Sequence, residues 1–375
     1  MMMQLIFVLF VVFTGIQLCY FLCLFSRFAF IRTAENTEVQ TNLPISVIIC
    51  AKDEAENLNE FLPHIYQQDY SNFEVVLIDD RSIDNTEEVM ESFAEKFPNE
   101  TRLVKIAFSD NKRFVGNKKY ALTLGIKAAK YNHLLFTDAD CQPVSKNWIR
   151  QMAGRFSSEK QLVLGYGKYQ AIAHSLLNKL IRYETLQTAL QYFSYALAGK
   201  AYMGVGRNLA YTKELFMDNN GFYEHLDILS GDDDLFVNQV ATRENTDICV
   251  DKQAFTISKP ETSWASYLYQ KRRHIATASH YKWQHKFLLG LYYLSTIGFW
   301  IMAILLFIST FQWRIVLGIF LFRWLIWWII NYKTAQKLDE KNLVLFLPVL
   351  EPVLISFQML IFVLNLFKKP KFWMH

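Results

Sequence analysis

A short β-rich run ends directly at a pair of carboxylates in Phe73-Glu74-Val75-Val76-Leu77-Ile78-Asp79-Asp80. A similar run from Leu134 ends at Asp138 and Asp140, and an earlier one spans residues 44–50. Segments of helical pattern lie between these runs, and strands that alternate with helices predict a mainly parallel sheet in an α/β fold. Because parallel strands deliver their last residues to one edge of the sheet, these carboxylates are expected to meet there.

Apolar segments flank this middle region. The chain has 375 residues, 52% of them hydrophobic and 16% aromatic, which is too apolar for a wholly soluble protein. Its first 26 residues carry no charge and lack the basic start and cleavage site of a secretory signal, so residues 1–30 are predicted to be a retained transmembrane helix. A globular domain is predicted at 41–281. Two to three more transmembrane or re-entrant helices are predicted in 287–367, followed by a basic tail at 368–375.

Positive charges predict the orientation in the membrane. Lysine and arginine favour the cytoplasmic side of a span. Arg27 and Arg32 follow the first apolar segment, and Lys282 and Lys286 precede the second. The middle domain is therefore expected in the cytoplasm of a multi-pass membrane protein, which would lie in the cell membrane of a bacterium.

The last apolar segment, 343–367, leaves two alternatives open. If it crosses the membrane, the lysines at 368, 369 and 371 lie outside, against the charge rule. Pro348 and Pro352 flank its centre, where a helix is expected to break. The segment could instead be a broken, re-entrant or interfacial element that returns to the cytoplasm.

Two charges interrupt the apolar segments, Arg323 in 316–330 and Glu351 in 343–367. A charge is costly in lipid, so each should face protein, water or the other. An Arg323–Glu351 pair is one hypothesis, and contact between Arg323 and an acidic headgroup is the other.

Composition and motifs also argue against several classes of protein. The net charge is only +4, and the basic residues sit beside the apolar segments and the acidic motifs, so a membrane and an anionic ligand explain them better than nucleic acid. No glycine-rich dinucleotide fingerprint or P-loop follows the predicted strands, which argues against nicotinamide and ATP sites. The apolar segments show no inverted repeat of the kind found in transporters.

Four polar clusters suggest the chemistry. They are Asp79-Asp80-Arg81-Ser82, Thr137-Asp138-Ala139-Asp140, Gly231-Asp232-Asp233-Asp234 and Gln270-Lys271-Arg272-Arg273-His274. Carboxylates at this density repel one another unless a metal ion or a cationic group neutralises them. They indicate a metal-assisted enzyme that acts on a phosphate-bearing substrate at a membrane.

The order of these motifs resembles that of the membrane-bound family 2 glycosyltransferases, which include cellulose, hyaluronan and poly-N-acetylglucosamine synthases. The resemblance covers about residues 44–279 and the plan of flanking helices. It rests on Ala51-Lys52-Asp53-Glu54, Asp79-Asp80-Arg81-Ser82-Ile83-Asp84, Gly116-Asn117-Lys118-Lys119-Tyr120-Ala121-Leu122, Asp138-Ala139-Asp140, Gly206-Arg207-Asn208-Leu209-Ala210-Tyr211, Gly231-Asp232-Asp233-Asp234 and Gln270-x-x-Arg273.

The resemblance implies a GT-A fold and an inverting glycosyltransferase. The donor would be a nucleoside diphosphate sugar, with a UDP-linked sugar expected, and the acceptor a membrane-associated glycan or lipid. The residues implied to bind the donor are Ala51, Asp53, Glu54, Asp79, Asp80, Lys118, Asp138, Gln270 and Arg273. Other readings remain open for some of them: Asp79 and Asp80 could cap a helix, and Asp53 and Glu54 could be a solvated first turn.

Asp138 and Asp140 are the candidate metal ligands. Their spacing at a strand end lets both carboxylates reach one ion, and an all-oxygen set suits Mg²⁺ or Mn²⁺. The ion would offset charge on the departing nucleoside diphosphate. A plain turn before Cys141 is the alternative.

Asp232 and Asp233 are the candidate general bases. Inverting transfer needs a carboxylate that takes the proton of the acceptor hydroxyl. If the family motif is aligned on Leu235, the implied base is Asp232. If it is aligned on Gly231, the implied base is Asp233.

Two features bear on the acceptor. His274 stands where the family's basic motif usually has tryptophan, and the predicted spans are few. Both favour a lipid, as in ceramide glucosyltransferase-like enzymes or those acting on polyprenyl phosphate, or a short oligosaccharide, over a long translocated polymer. The segment 174–200 has helical periodicity and would lie either on the membrane surface or in the core. Lys119, next to Lys118, is expected to be exposed.

Overall fold

The fold is known from a computed structural model that describes residues 1–32, 41–107, 118–228 and 230–367. Gly116 and Asn117 of the predicted donor motif lie outside this range. The described strands are β1 (Ile45–Ala51), β2 (Phe73–Asp79), β3 (Thr101–Lys105), β4 (His133–Phe136), β5 (Cys141–Pro143), β6 (Leu162–Leu164), β7 (Gly167–Tyr169), β8 (Leu209–Thr212), β9 (Thr246–Ile248) and β10 (Thr256–Ser258).

The described helices of the globular domain alternate with these strands, and long apolar helices precede and follow the domain. They are α1 (Met2–Cys19), α2 (Ser26–Ala29), α3 (Ala55–Tyr66), α4 (Thr86–Lys96), α5 (Lys118–Ala128), α6 (Trp148–Ala153), α7 (Leu176–Leu197), α8 (Lys213–Asp218), α9 (Asp234–Val240), α10 (Trp264–Thr277), α11 (Trp283–Ile308), α12 (Trp313–Lys337) and α13 (Leu347–Phe367). A π-helical turn, Tyr20–Phe25, joins α1 to α2, and a 3₁₀ segment, Lys341–Phe346, leads into α13.

A seven-stranded sheet in the order β3-β2-β1-β4-β8-β6-β9 forms the centre of the globular domain. Strands β3, β2, β1 and β4 are parallel, β8 is antiparallel to both of its neighbours, and β6 is parallel to β9. Ala51 at the end of β1 is paired with Asp79 at the end of β2. The predicted mainly parallel sheet is confirmed, and β1, β2 and β4 end at the same edge.

Apolar side chains on both faces hold this sheet in place. In β1, Val47 and Ile49 pack on the side of α3 and α6, whereas Ile48 packs on the side of α5 and α7. Burial of both faces explains the almost unbroken apolar sequence of β1 and β2, as expected for parallel strands. Since apolar contacts fix the strands, the polar residues that follow them are left at the edge.

Helix α7 lies in the core. The sequence left a membrane-surface helix and a core helix open for 174–200, and the structure favours the core, because Leu180, Leu186 and Leu190 are all buried. Phe193 stacks on Phe28 at the end of the N-terminal apolar helix, with ring centroids 4.9 Å apart. Helix α7 thereby joins the sheet domain to the apolar helices.

Four described segments are long and apolar enough to cross a membrane: Met2–Ala29, Trp283–Ile308, Trp313–Lys337 and Lys341–Asn365. This confirms one N-terminal and three C-terminal apolar helices. The uncharged stretch 287–313 does not form one helix to its end, because α11 stops at Ile308. A polar turn follows, in which Thr310 and Gln312 have left-handed backbone with φ of 55° and 45°.

The helix break predicted at Pro348 and Pro352 is wrong, because α13 is continuous from Leu347 to Phe367. Pro348 lies in the first turn, where a missing N–H removes no intrahelical bond. Only Pro352 lies inside the helix. Pro352 removes the one intrahelical bond that would reach the Pro348 carbonyl, and the burial of Leu350 and Leu354 against protein stabilises the segment.

Arg323 and Glu351 form the buried pair that one hypothesis predicted. Arg323 donates from Nη1 to Glu351 Oε2 at 3.0 Å and from Nη2 to Glu351 Oε1 at 2.7 Å, and from Nε to Gln17 Oε1 at 2.6 Å. The guanidinium carbon lies 4.6 Å from the ring centroid of Phe299. The arginine thereby ties α1, α11, α12 and α13 together.

We predict that Glu351→Leu destabilises the protein by about 3–5 kcal/mol, because it leaves a buried guanidinium that cannot lose its proton. The double variant Arg323→Leu/Glu351→Leu should recover most of this loss. Thermal unfolding in detergent measures both, with Arg314→Leu, at an exposed arginine of the same helix, as the control within about 0.5 kcal/mol. A double variant as unstable as the sum of its single changes would contradict this account.

Candidate active site

The acidic residues that follow β1 and β2 accept hydrogen bonds from backbone amides of the loop after β2. Asp53 has φ of 55° and accepts a hydrogen bond at Oδ1 from the Ile83 amide at 2.7 Å. Asp79 accepts at Oδ1 from the Ser82 amide at 3.1 Å. Neither Asp79 nor Asp80 caps α4, because its N-cap residue is Asn85, and Asp84 accepts from the Thr86 amide at 3.0 Å in the turn that leads into the helix.

Asp80, Ala51 and Glu54 complete this loop. The Asp80 amide donates to the Ala51 carbonyl at 2.9 Å, and the Asp80 carboxylate forms a buried ion pair with Arg81. Burial raises the pKa of Asp80 above its usual range, although Arg81 opposes the shift. The Glu54 amide donates to Thr86 Oγ1 at 2.8 Å, where α3 begins. The predicted donor-binding residues of this region therefore form one ordered rim.

A second charged group forms beyond β4, around Lys118 at the start of α5. Lys118 Nζ donates to Asp138 Oδ1 at 2.8 Å and lies 3.5 Å from Asp232 Oδ2. Burial acts to raise the pKa of Asp138, but the Lys118 ammonium outweighs it and holds that pKa below the usual range. The structure thus brings the second and third acidic motifs together around one lysine.

Asp138, Asp140 and Cys141 form a compact set of potential metal ligands, with one ligand atom from each lying within 4.8 Å of the others. Burial and the charge of Asp138 raise the pKa of Asp140. The motif also makes a turn, because the Cys141 amide donates to the Asp138 carbonyl at 3.3 Å where β5 begins. Two carboxylates on one turn fit a hard divalent cation such as Mg²⁺ or Mn²⁺.

The third motif, Asp232-Asp233-Asp234, divides into three environments. Asp233 accepts at Oδ2 from the Gly206 amide and at Oδ1 from the Asp234 amide, both at 2.7 Å. Asp234 is buried and accepts from Tyr281 Oη at 2.7 Å and from the Thr277 hydroxyl. Asp232 has its partner in Lys118, so it is the member of the three that faces the charged group at β4.

Gly231, directly before the three aspartates, has a backbone conformation that favours glycine. Its φ is 93°, and a Cβ added there would lie 2.5 Å from Leu235 Cδ1. A side chain at this position would therefore be strained and would clash. The glycine turns the chain just before Asp232, and Asp233 and Asp234 then cap and anchor α9.

Helix α10 carries the last predicted motif. The positive charge of Arg273 lowers the pKa of Asp138, so the two groups are near each other. Gln270 Oε1 is buried and accepts no hydrogen bond from the described residues. His274 is exposed. Thr277 anchors the end of the same helix to Asp234.

Cys50 at the end of β1 connects the two acidic groups. Burial raises the pKa of its thiol well above the usual range. The charged residues that act on this thiol come from both groups: Lys118, Asp80, Asp232 and Asp138. The rim at β1 and β2 and the cluster at β4 are therefore parts of one site.

The structure places a further charged residue, Arg207, near the predicted metal ligands. Arg207 donates from Nη2 to the Gly167 carbonyl at 2.8 Å and stacks over the Tyr169 ring at 4.3 Å. Its charge lowers the pKa of Asp138 and opposes the rise at Asp140. The sequence alone gives Arg207 no role beyond its place in the motif Gly206-Arg207-Asn208. A basic residue inside that motif is the signal that could have identified it.

The expected exposure of Lys119 is wrong. Its side chain is 1% exposed, and Nζ donates to the carbonyls of His225 at 2.7 Å and Ile228 at 2.9 Å. Burial lowers the pKa of this lysine to about 8. The two adjacent lysines on α5 thus have different roles. Lys118 faces the site, and Lys119 binds backbone carbonyls of the segment before Asp232.

Comparison with known proteins agrees with this fold and site. Residues 46–217 match the family described as Glycosyl transferase family 2. It is 31% identical over 108 residues to the glycosyltransferase GlyG of Streptococcus pneumoniae serotype 4, which is 29% of this chain and 33% of the relative. It is 30% identical over 109 residues to the glycosyltransferase AglE of Haloferax volcanii, which is 28% of this chain and 33% of the relative. The match thus spans about a third of each curated relative.

A solved structure resembles nearly the whole chain. The mannosyltransferase PcManGT from Pyrobaculum calidifontis, determined with GDP-Man and Mn²⁺, aligns over 94% of this chain and 98% of its own. The TM-score is 0.59 and the sequence identity is 17%. A similarity at this identity shows the fold, which is GT-A.

We predict that Asp233 makes stability depend on pH. Burial, with the charges of Asp232 and Asp234, raises its pKa to about 7. Its folded-state pKa is above that of the unfolded chain, so its stabilising contribution is present below about pH 4 and is lost as pH rises to about 7. Asp233→Asn should remove up to about 1.4 kcal/mol of this decline per pH unit.

Thermal unfolding between pH 4 and pH 8, without divalent metal, measures this dependence. Asp218→Asn, at an exposed aspartate of α8, should keep the wild-type profile. The assignment fails if Asp233→Asn and wild type lose stability in parallel over this range.

Proposed function

We propose that the protein is an inverting glycosyltransferase that moves a sugar from a nucleoside diphosphate donor to an acceptor in the membrane. The observation that carries this proposal is the approach of Asp232, Lys118 and Asp138, from three separate sequence motifs, at the carboxyl edge of a GT-A sheet. The family 2 domain at residues 46–217 supports the same class of reaction.

Asp232 is the proposed general base. Its carboxylate would take the proton of an acceptor hydroxyl while that oxygen bonds to the anomeric carbon of the sugar. The bond from that carbon to the diphosphate oxygen breaks in the same step, and the nucleoside diphosphate leaves with the electron pair. Asp233 is less suited to this role, because two backbone amides already bind its carboxylate oxygens.

Asp138 and Asp140 are the proposed ligands of Mg²⁺ or Mn²⁺. When bound, the ion would neutralise charge on the donor diphosphate and on the leaving group. Lys118, Arg207 and Arg273 surround the same carboxylates and would bind the diphosphate oxygens from the protein side. The Mn²⁺ in the structure of the similarly folded mannosyltransferase is consistent with this role.

The rim at β1 and β2 is the proposed nucleoside site. Ala51, Asp53, Glu54, Asp79 and Asp80 are positioned there by the loop bonds described above, and Cys50 connects them to the diphosphate end. Carboxylates accept hydrogen bonds from ribose hydroxyls and from a base N–H. A UDP-sugar is the first donor to test, on the strength of the family resemblance in these motifs.

A membrane lipid is the proposed acceptor, in preference to a long translocated polymer. Side chains fill the space between the apolar helices: Phe10 stacks on Phe299 at 5.5 Å, and a Cβ on Gly298 would lie 2.4 Å from Phe13. A lipid can reach the site from the side and needs no channel. The basic residues at the ends of the spans support a cytoplasmic domain, with the N-terminus outside.

The roles of the two aspartates can be separated by parallel substitution. We predict that Asp232→Asn lowers turnover about 10²–10⁴-fold with donor affinity nearly unchanged, because only the proton acceptor is lost. Asp233→Asn should retain turnover within about 10-fold, because its amide oxygen can still cap α9. Nucleoside diphosphate release gives turnover, and calorimetric titration with the nucleotide gives affinity.

Asp218→Asn serves as the exposed control for both measurements. Full activity in Asp232→Asn would refute the base assignment. A loss confined to Asp233→Asn, in protein that still binds nucleotide, would move the role to Asp233.

A further inference from the structure

The apolar helix α13 contacts the globular domain near both of its ends. Before its first turn, Glu340 and Asn342 bind Arg182 of α7, with Arg182 Nη2 donating to Asn342 Oδ1 at 2.7 Å. Near its last turn, Asn365 Oδ1 accepts from Arg272 Nε of α10 at 2.9 Å, and Asn365 Nδ2 donates to the Arg272 carbonyl at 3.3 Å.

Both partner helices belong to the sheet domain. Tyr192 of α7 donates to the Gly165 carbonyl at 2.7 Å, and Thr277 of α10 binds Asp234 in the candidate site. Between the two ends, Phe357 of α13 stacks on Tyr267 of α10, with centroids 5.1 Å apart and an interplanar angle of 6°. Helix α13 therefore follows the surface of the domain along its length.

Because of the length of α13, these contacts distinguish a helix that crosses the membrane from one that stays on the side of the domain. Its 21 residues extend about 32 Å, which is close to the thickness of the hydrocarbon core. A helix that crossed the membrane would carry one of its ends about 30 Å away from a domain on one side. Contacts with the domain at both ends are incompatible with that arrangement.

The two faces of α13 differ in burial but not in polarity. Leu350, Leu354 and Ile361 face protein and are buried. Met359 and Val363 on the opposite face are 40% and 46% exposed. An exposed apolar face on a segment long and apolar enough to enter a membrane needs a lipid environment to cover it.

We propose that α13 does not cross the membrane but lies in the leaflet on the side of the domain, with Glu351 in its second turn reaching Arg323 of α12 and Asn365 held at α10. The lipid bilayer is the partner of its outer face, and the membrane crossings are Met2–Ala29, α11 and α12. This arrangement also removes the conflict between the lysines that follow Phe367 in sequence and the charge rule. The proposal does not depend on the proposed catalytic activity.

One consequence concerns the active site. Helix α10, which carries Gln270 and Arg273, is held on one side by α13 through Arg272 and on the other by α7. The second contact is the 2.6 Å ion pair between Lys271 Nζ and Glu184 Oε2. The depth of α13 in the bilayer thereby fixes the height of α10 above the membrane.

The test is a depth measurement with nitroxide labels on cysteines placed at Val349, Ser356 and Val363, in full-length protein with the five native cysteines replaced by alanine. These positions are seven residues apart and therefore share one face of the helix. Relaxation by dissolved oxygen and by a polar nickel complex in vesicles reports depth. We expect similar depths at all three positions, and a Ser356 label about 10 Å deeper than both others would show a crossing helix and overturn the proposal.

Sidedness gives a second readout. Cysteine at Phe367 should react with a membrane-impermeant maleimide from the side that labels Glu95→Cys in the domain, opposite to Thr310→Cys between α11 and α12. Labelling together with Thr310→Cys, or from neither side before detergent is added, would overturn the proposal. If the cysteine-free protein does not fold, a green fluorescent protein fused after His375 of the native chain replaces it, and fluorescence in the cell supports the proposal whereas its absence contradicts it.

Discussion

The Lys118 ammonium holds together carboxylates that would otherwise repel one another. The sheet brings Asp138 to its carboxyl edge, the turn at Gly231 brings Asp232 to the same place, and Lys118 lies within 3.5 Å of both. Burial, together with neighbouring like charges, raises the pKa of Asp140 and of Asp233. The lysine keeps Asp138 ionised, and the surrounding arginines extend the positive field in which a diphosphate could bind.

The rest of the molecule supports this arrangement from two directions. On one side, apolar packing fixes β1, β2 and β4, so that the residues after each strand have little freedom. On the other side, α10 joins the site to the membrane helices, because Thr277 binds Asp234 and Arg272 binds Asn365. A site built between the sheet and the apolar helices is consistent with the proposed water-soluble donor and lipid acceptor.

Much of the fold and the acidic part of the site could be predicted from the sequence. Asp79, Asp138 and Asp140 follow apolar runs directly, so strand topology alone places them at one edge. Arg323 and Glu351 could be paired because charges in apolar segments have few alternatives. Lys119 and Arg207 could not be assigned, because burial and stacking depend on residues distant in sequence, such as His225 and Tyr169. The orientation of α13 could not be predicted either, because its sequence shows a long apolar segment but not how that segment lies relative to the domain.

The most direct test of the account is nucleoside diphosphate release by the purified, detergent-solubilised protein. The assay would use a panel of UDP-, GDP- and dTDP-sugars with Mg²⁺ or Mn²⁺, with and without a membrane lipid extract, and would include Asp140→Ala. The account predicts release from one donor that depends on the extract and is lost with EDTA or in Asp140→Ala. Folded protein that neither releases diphosphate from any donor nor binds any of the nucleotides by calorimetry would contradict it.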